Sequence, residues 1–422
     1  MQYLKLIIII LFSYSTTHAQ TELEIKLFEL PDVIFTKIKT PEGYEAAYKL
    51  LIKQPLDHDN HEAGHFYQKV YYSHMSYESP TAIITNGYNK GRNNITEVAK
   101  LSKSNQLNVE HRFFGESCPD SMDYQYLNFK QITNDLHHIK TLFAKINFGK
   151  WISTGISKGG TTTIFYKYFY PNDVDVSIPY VAPLNYEFEE KRIYDFLDHI
   201  GTEECRNDIY KLQKKLLEQS DEILPLLKWY VKGRSLDFNY LSVGEAYEYA
   251  VLELPFSFWQ YGQDCAKIPN KGTRDEQVDY LLSVVGLDFF SDKDMKAFGS
   301  HYYQSATEMG YYGYETEEFE GLLKHLNSQP HPHAAFVPQK MKVKWQGNLT
   351  NKVAKWIKNN GNNMLYINGA LDTWSATAVP PSNKVNSKWF FMAGKHHASA
   401  RIANMTIKEK TKFTKFLNKC LE

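Results

Sequence analysis

The residues best placed to do chemistry are Gly155-Ile156-Ser157-Lys158-Gly159, with Gly160 following. A serine flanked in this way by glycines fits a sharp strand-to-helix turn. Gly155 and Gly159 lack the side chains that would collide there, and the serine is held in strained geometry with its hydroxyl exposed. The helix N-terminus beneath it aims backbone N–H groups at a developing oxyanion, the Lys158 N–H first among them. A hydroxyl is a weak nucleophile, so the chain must also supply a general base and a carboxylate that orients it. In the order serine, carboxylate, histidine, the candidates are Asp372, after Gly369-Ala370-Leu371, and His396, after Gly394-Lys395. Asp372 could instead simply cap the turn opened by Thr373 and Trp374. His397 adjoins His396, and neighbouring side chains leave a loop in different directions, so only one of the two can serve as base. The tight turn at Gly394 presents His396, which is the expectation, with His397 the alternative. The loop Asn86-Gly87-Tyr88-Asn89 should supply a second oxyanion donor, the Tyr88 N–H, unless it is only a turn.

These side chains need strand ends to hold them. Residues 81–85 and 107–111 are short apolar runs bounded by turn residues, as in strands buried on both faces. Helical spacing of Ile132, Leu136, Ile139, Leu142 and Phe143 leads to a strand at 151–156, a helix from Ser157 to Tyr170 stopped by Pro171, and a strand at 176–181. That is a βαβ order and a parallel sheet. Residues 47–53 and 66–72 read as an antiparallel pair ahead of it. From 186 to 338 the periodicity is helical, for example at Ile209, Leu212, Leu216 and Leu217, with aromatics at Phe256, Phe258, Trp259 and Tyr261. Strand-like runs return at 364–368 and 389–392, and an amphipathic helix carries Ile402, Ile407, Phe413 and Phe416. The expected architecture is an α/β-hydrolase core in two parts, 20–185 and 339–422. Residues 186–338 form a helical cap over the carboxyl ends of the strands.

Residues 1–19 read as a secretory signal peptide with a basic start, the apolar run LIIIILF and a small-residue cleavage site after Ala19. The run is too short for a bilayer crossing, which needs about 20 apolar residues. A secreted or periplasmic protein without a stable membrane anchor is expected. Lysine plus arginine equals aspartate plus glutamate at 48 each, so charge makes no case for nucleic acid or an anionic membrane as partner. Cys118, Cys205, Cys265 and Cys420 allow three disulfide pairings, of which Cys205–Cys265 is favoured because both lie in the central segment. His137/His138, His331/His333 and His396/His397 lack ligand spacing, so neither a metal site nor any cofactor is implied. The sequons at Asn94, Asn348 and Asn404 matter only in a host that glycosylates exported proteins. Oligomeric state leaves no signature.

Four stretches carry a resemblance to a known family. They are Gln54 to His58, Glu110 to Ser117, the elbow continued through Tyr170 to Asp175 and Val181 to Leu184, and Asp372 to Ser375 with Gly394 to His396. In these the chain resembles the bacterial secreted tripeptidyl and prolyl aminopeptidases, serine peptidases related to prolylcarboxypeptidase and dipeptidyl peptidase II. Pro255 to Tyr261 with Cys265 resembles the aminopeptidase branch, whereas the His396-His397 pair is closer to the carboxypeptidase relatives, so the end attacked stays open. The resemblance implies acyl transfer from short peptides to water near a proline or small apolar residue, with the triad on Ser157, Asp372 and His396. It implies that Glu110 to Ser117 supports the site, where Arg112 could pair internally. It leaves open whether Glu187, Glu189, Glu190 or Glu253 holds a substrate amine. Two other readings share the scaffold, an exported esterase or lipase and a catalytically inactive binding protein.

Overall fold

The computed structural model describes residues 21–326, 336–338 and 341–422, so the expected signal peptide and the His331/His333 pair lie outside the described residues. Runs rich in β-branched and apolar residues build one nine-stranded sheet in the order β1-β2-β3-β5-β4-β6-β7-β8-β9. β2 (Ala46–Pro55) and β3 (His65–His74) are antiparallel, with Tyr48 opposite Tyr72, as their alternation predicts. Tyr48, Leu50 and Ile52 share the buried face of β2. β1 (Val33–Lys37) adds an edge strand that the sequence reading missed, because Ile34 points to solvent and the run carries little apolar alternation.

The remaining strands are parallel to one another: β4 (Thr81–Thr85), β5 (Asn105–Val109), β6 (Trp151–Ile156), β7 (Val176–Tyr180), β8 (Leu365–Gly369) and β9 (Lys388–Met392). This is the α/β-hydrolase core. The chain steps outward from β4 to β5 and then crosses to β6 on the other side of β4, so the order reverses between β4 and β6. Ligand crevices form at such reversals, beyond the carboxyl ends of the strands.

One face of the sheet is covered by α1 (Glu22–Phe28), α3 (Phe129–Phe143) and α4 (Lys158–Phe169), joined late in the chain by α11 (Asn348–Asn360). On the opposite face α2 (Glu97–Ser102) and α12 (Ile407–Leu421) pack Val98, Phe413 and Phe416 against Ile84, Ile178 and Phe390. α12 begins later than the sequence periodicity suggests. Thr406 and Glu409 form a capping box, and Ile402 sits in a separate short turn before it.

Between β7 and β8 the described chain is helical: α5 (Arg192–His199), α6 (Glu203–Glu218), α7 (Ser220–Gly233), α8 (Val243–Tyr261), α9 (Arg274–Val284) and α10 (Asp292–Gln304). These helices bury a core of their own, with Ile209, Leu212, Leu216 and Leu217 on the inner face of α6. α8 contains Pro255, which has no N–H for the Val251 carbonyl. The Gln213 amide donates to that carbonyl instead at 2.8 Å. A Cys205–Cys265 disulfide ties the start of α6 to the segment after α8, while Cys118 and Cys420 are free thiols.

The segment from Glu110 to Ser117 is a buried hub. Glu110 accepts from the Glu116 and Ser117 N–H groups, the Ser117 hydroxyl and, at 2.7 Å, the Lys90 N–H, and it pairs with Lys69. Arg112, wholly buried, donates to both Asp135 oxygens at 2.7 Å and to the carbonyls of Pro55, Leu56 and Tyr126. Every donor group of that guanidinium is thereby engaged in joining β2, α3 and the loop after β5. Removing one member of a buried pair leaves an uncompensated charge. Asp135→Ala should therefore lower unfolding stability by about 3–5 kcal/mol, measured by denaturant titration. A loss below about 1 kcal/mol would contradict this account.

Candidate active site

β6 ends at Ile156 and α4 begins at Lys158, so a single residue, Ser157, makes the whole turn. Its backbone sits at φ 57°, ψ −127°, a region that side chains other than glycine rarely adopt. The strain persists because three backbones pack against one another here. A Cβ on Gly155 would strike the Gly159 carbonyl and the Thr85 hydroxyl, and one on Gly87 would lie 2.6 Å from Lys158 Cβ and 2.8 Å from Gly159 N. The Thr85 hydroxyl, at the end of β4, donates to the Gly159 carbonyl at 2.7 Å and bridges the first turn of the helix to the sheet.

The first residues of α4 have no intrahelical acceptor for their N–H groups, which leaves the Lys158 N–H beside Ser157. The loop after β4 brings Gly87 against this helix end, with Tyr88 next in the chain and lining the same cavity as Ser157. The Lys158 side chain turns inward. Its Nζ donates to the Gly87 carbonyl at 2.9 Å and lies 3.2 Å from His111 Nε2, between the rings of Tyr88 and Phe114. Because His111 Nδ1 faces the Arg112 carbonyl at 2.8 Å, it carries the ring proton and leaves Nε2 as acceptor. Burial drives the Lys158 amine and the His111 imidazole well below their ordinary pKa values, so both favour their neutral forms.

Asp372, wholly buried, follows β8. One oxygen caps the short turn Thr373–Thr377 through the Trp374 N–H at 3.2 Å, and the other receives His397 Nδ1 at 2.8 Å. Capping and orienting thus coexist on a single carboxylate. The histidine is His397, and the expectation that His396 would meet Asp372 is corrected. The loop after β9 turns at Gly394, the Lys395 carbonyl accepts from the Leu371 N–H, and the His397 N–H donates to the Gln260 carbonyl at the end of α8. These backbone bonds direct the His397 ring to Asp372 and the cavity. They send the His396 ring the other way, against Gly262, where a Cβ would lie 2.5 Å from its Cδ2. Burial lowers the pKa of His396 there.

Ser157, Tyr88 and His397 line one cavity of about 420 Å³ together with Glu253, Phe256 and Tyr312 from the helical segment. Of the four glutamates considered, only Glu253 reaches it. Glu190 is held by Arg192 through two 2.7 Å bonds, Glu189 accepts from the Tyr194 hydroxyl, and Glu187 is exposed. Glu253 is buried and accepts from the hydroxyls of Ser257, Tyr312 and Tyr314 at 2.7–2.9 Å. Burial pushes its carboxyl up to about 7 against the opposing effect of those bonds. Tyr312 and Tyr314 lie far from every motif in sequence, and only the stacking of Tyr312 on Phe256 at 3.7 Å brings them to the carboxylate. Sequence reading had no signal for them.

The profile of the family described as PS-10 peptidase S37 matches residues 18–419. The chain belongs to this family of serine peptidases. It is 30% identical over 410 residues to the prolyl tri/tetrapeptidyl aminopeptidase of Streptomyces mobaraensis, covering 95% of this chain and 85% of the relative. It is 24% identical over 341 residues to an Arabidopsis thaliana protein described as "Probable serine protease EDA2", covering 67% and 66% of the two chains. Among solved structures, a proline iminopeptidase from Mycobacterium smegmatis matches at TM-score 0.43 and 12% identity over 88% of this chain and 98% of that one.

Gly87 has no room for a side chain, so Gly87→Ala must push the loop bearing the Tyr88 N–H away from Ser157. If that N–H holds the oxyanion, peptidase kcat should fall by about 10²-fold with little change in KM. Steady-state kinetics checks this, and an unchanged kcat would remove Tyr88 from that role.

Proposed function

We propose that this S37 peptidase is an exported aminopeptidase that cuts short segments from the N-terminus of peptides through an acyl-enzyme on Ser157, with His397 as general base and Asp372 behind it. The observation that carries the reading is a buried carboxylate, Glu253, in the same cavity as the strained serine and the carboxylate-bound imidazole. Since Nδ1 of His397 faces Asp372, it carries a proton, and Nε2 is left to take the Ser157 proton. The serine oxygen adds to the scissile carbonyl, and the Lys158 and Tyr88 N–H groups hold the resulting oxyanion. The imidazolium then gives its proton to the leaving nitrogen as the C–N bond breaks. Water, activated by the same imidazole, adds to the ester carbonyl and releases the acid. Asp372 orients the ring and stabilises the imidazolium without taking its proton.

Glu253 supports an attack from the amino end. The three groups that donate to it are neutral hydroxyls, so among the described residues no cation balances its charge. A substrate ammonium supplies one. Phe256 and Tyr312 also line a neighbouring cavity of about 370 Å³ inside the helical segment, so this stacked pair walls off the end of the site and limits how much chain fits before the cut. The preference of the Streptomyces relative, as its name states it, agrees with short N-terminal segments ending near proline.

Two outcomes test this. A fluorophosphonate probe should label the protein and fail on Ser157→Ala. His397→Ala should lose about 10⁴-fold or more in kcat, whereas His396→Ala should retain most activity, and the reverse ranking would return the base to His396. The second outcome is a pH dependence. Glu253 is neutral below about 7 and ionised above it, while a peptide amine stays protonated up to about pH 8. Selectivity for a free over an acetylated N-terminus, taken as a ratio of kcat/KM, should therefore rise with pH between about 6 and 7.5 and flatten in Glu253→Gln. Any effect of pH on the chemical step common to the two substrates cancels in that ratio.

A further inference from the structure

Ser157 borders two cavities. Besides the one that holds Glu253, a second of about 550 Å³ opens between the loop after β4, the start of α2 and the turn before α12, and it too is lined by Ser157 and Tyr88. Its charged lining residues are Lys90, Glu97 and Arg401. Glu97 is already engaged, since its two oxygens accept from the Ile402 and Ala403 N–H groups at 2.9 and 3.1 Å. The cations are not matched in this way. Lys90 Nζ donates to the Asn94 side-chain oxygen, and Arg401 Nη1 donates to the His397 and Ala400 carbonyls. Among the described residues neither makes an ion pair. Burial lowers the pKa of both, opposed at Arg401 by the nearby charges of Glu97 and Asp372, so Lys90 is the cation with no carboxylate beside it among the described residues. Ile156, 46% exposed beside the nucleophile, gives the cavity an apolar floor.

A short peptide has an ammonium at one end and a carboxylate at the other, and the cut bond lies between. The two cavities meeting at Ser157 lean to that same polarity: among the described residues Glu253 on one side has no paired cation, while on the other Lys90 has no paired carboxylate, and Lys90 and Arg401 outnumber Glu97. Resting on the aminopeptidase reading, we propose that the cavity lined by Lys90 and Arg401 is the leaving-segment site, and that it selects peptides whose carboxylate falls within a few residues after the cut.

The test compares three pentapeptides that share the N-terminal sequence Ala-Ala-Pro: one ending in Ala-Ala with a free carboxylate, its C-terminal amide, and the amide of Ala-Asp, which restores a carboxylate on a side chain. Cleavage of the tripeptidyl aminomethylcoumarin by the wild type reports separately on the aminopeptidase reading, because that substrate has no residue after the cut. The wild type should prefer the free acid over the amide by about tenfold in kcat/KM, the worth of a partly screened charge-assisted bond. Lys90→Ala should shrink that ratio toward one, and Lys90→Glu should bring it to one or below. Arg401→Gln should also shrink it, judged by the ratio because Arg401 supports the His397 loop. Recovery of the preference with the Ala-Asp amide would assign the site to carboxylates in general, and no recovery would assign it to the chain terminus. Coumarin release together with a wild-type ratio near one, or a ratio unchanged in both Lys90 variants, would overturn the leaving-segment site alone. Absence of coumarin release and of pentapeptide cleavage would overturn the aminopeptidase reading and this site with it.

Discussion

Three backbone segments meet at distances that admit no side chain: the end of β4 with Gly87, the end of β6 with Gly155, and the start of α4 with Gly159. This contact keeps Ser157 at φ 57°, ψ −127° when relaxation would otherwise favour an ordinary turn. It sets the helix N-terminus beneath the hydroxyl and brings the Gly87–Tyr88 backbone alongside. Lys158 reinforces the contact from below by donating its amine to the Gly87 carbonyl. An ammonium in that place would be costly to bury. Withdrawal from water favours the neutral amine, and the His111 ring accepts from it.

The buried charged groups of the Glu110–Ser117 segment are satisfied bond by bond. Glu110 and Arg112, both wholly buried, serve as the knots. The first holds the Lys90 N–H and hence the far end of the Tyr88 loop, and the second joins β2 to α3 through Asp135 and three carbonyls. Against that background Glu253 differs. It is buried too and has good hydrogen bonds, yet among the described residues only from neutral hydroxyls. Among the described residues no cation pairs with this buried carboxylate, and the open cavity beside it is the proposed place for a substrate ammonium.

The helical segment also lines the candidate site. α8 contributes Glu253 and Phe256 to the cavity, and its last turn fixes the histidine loop, because the Gln260 carbonyl accepts from the His397 N–H. The Thr373 hydroxyl donates to the Phe256 carbonyl and joins the same helix to the turn that Asp372 caps. The groups that would select a substrate and the groups that would react with it thus share one set of backbone bonds, so a shift of α8 would be felt by both.

Local pattern is enough to read off the parallel strands, the elbow at Ser157 and the placing of Asp372 after a late strand, because each depends on neighbours within a few residues: a glycine spacing, an apolar run, a strand followed by a turn. Favouring Cys205–Cys265 from its place in the central segment agrees with the disulfide found. The edge strand β1 escaped because its alternation is weak. The choice between His396 and His397 lay beyond sequence because two adjacent side chains differ only in direction. That direction is decided by bonds from Leu371 and Gln260, which are remote in the chain. Likewise nothing local separates Glu253 from Glu187, Glu189 or Glu190. Its burial against Tyr312 and Tyr314, and the meeting at one serine of a cavity lined by Glu253 with one lined by Lys90 and Arg401, exist only once segments distant in sequence have packed together.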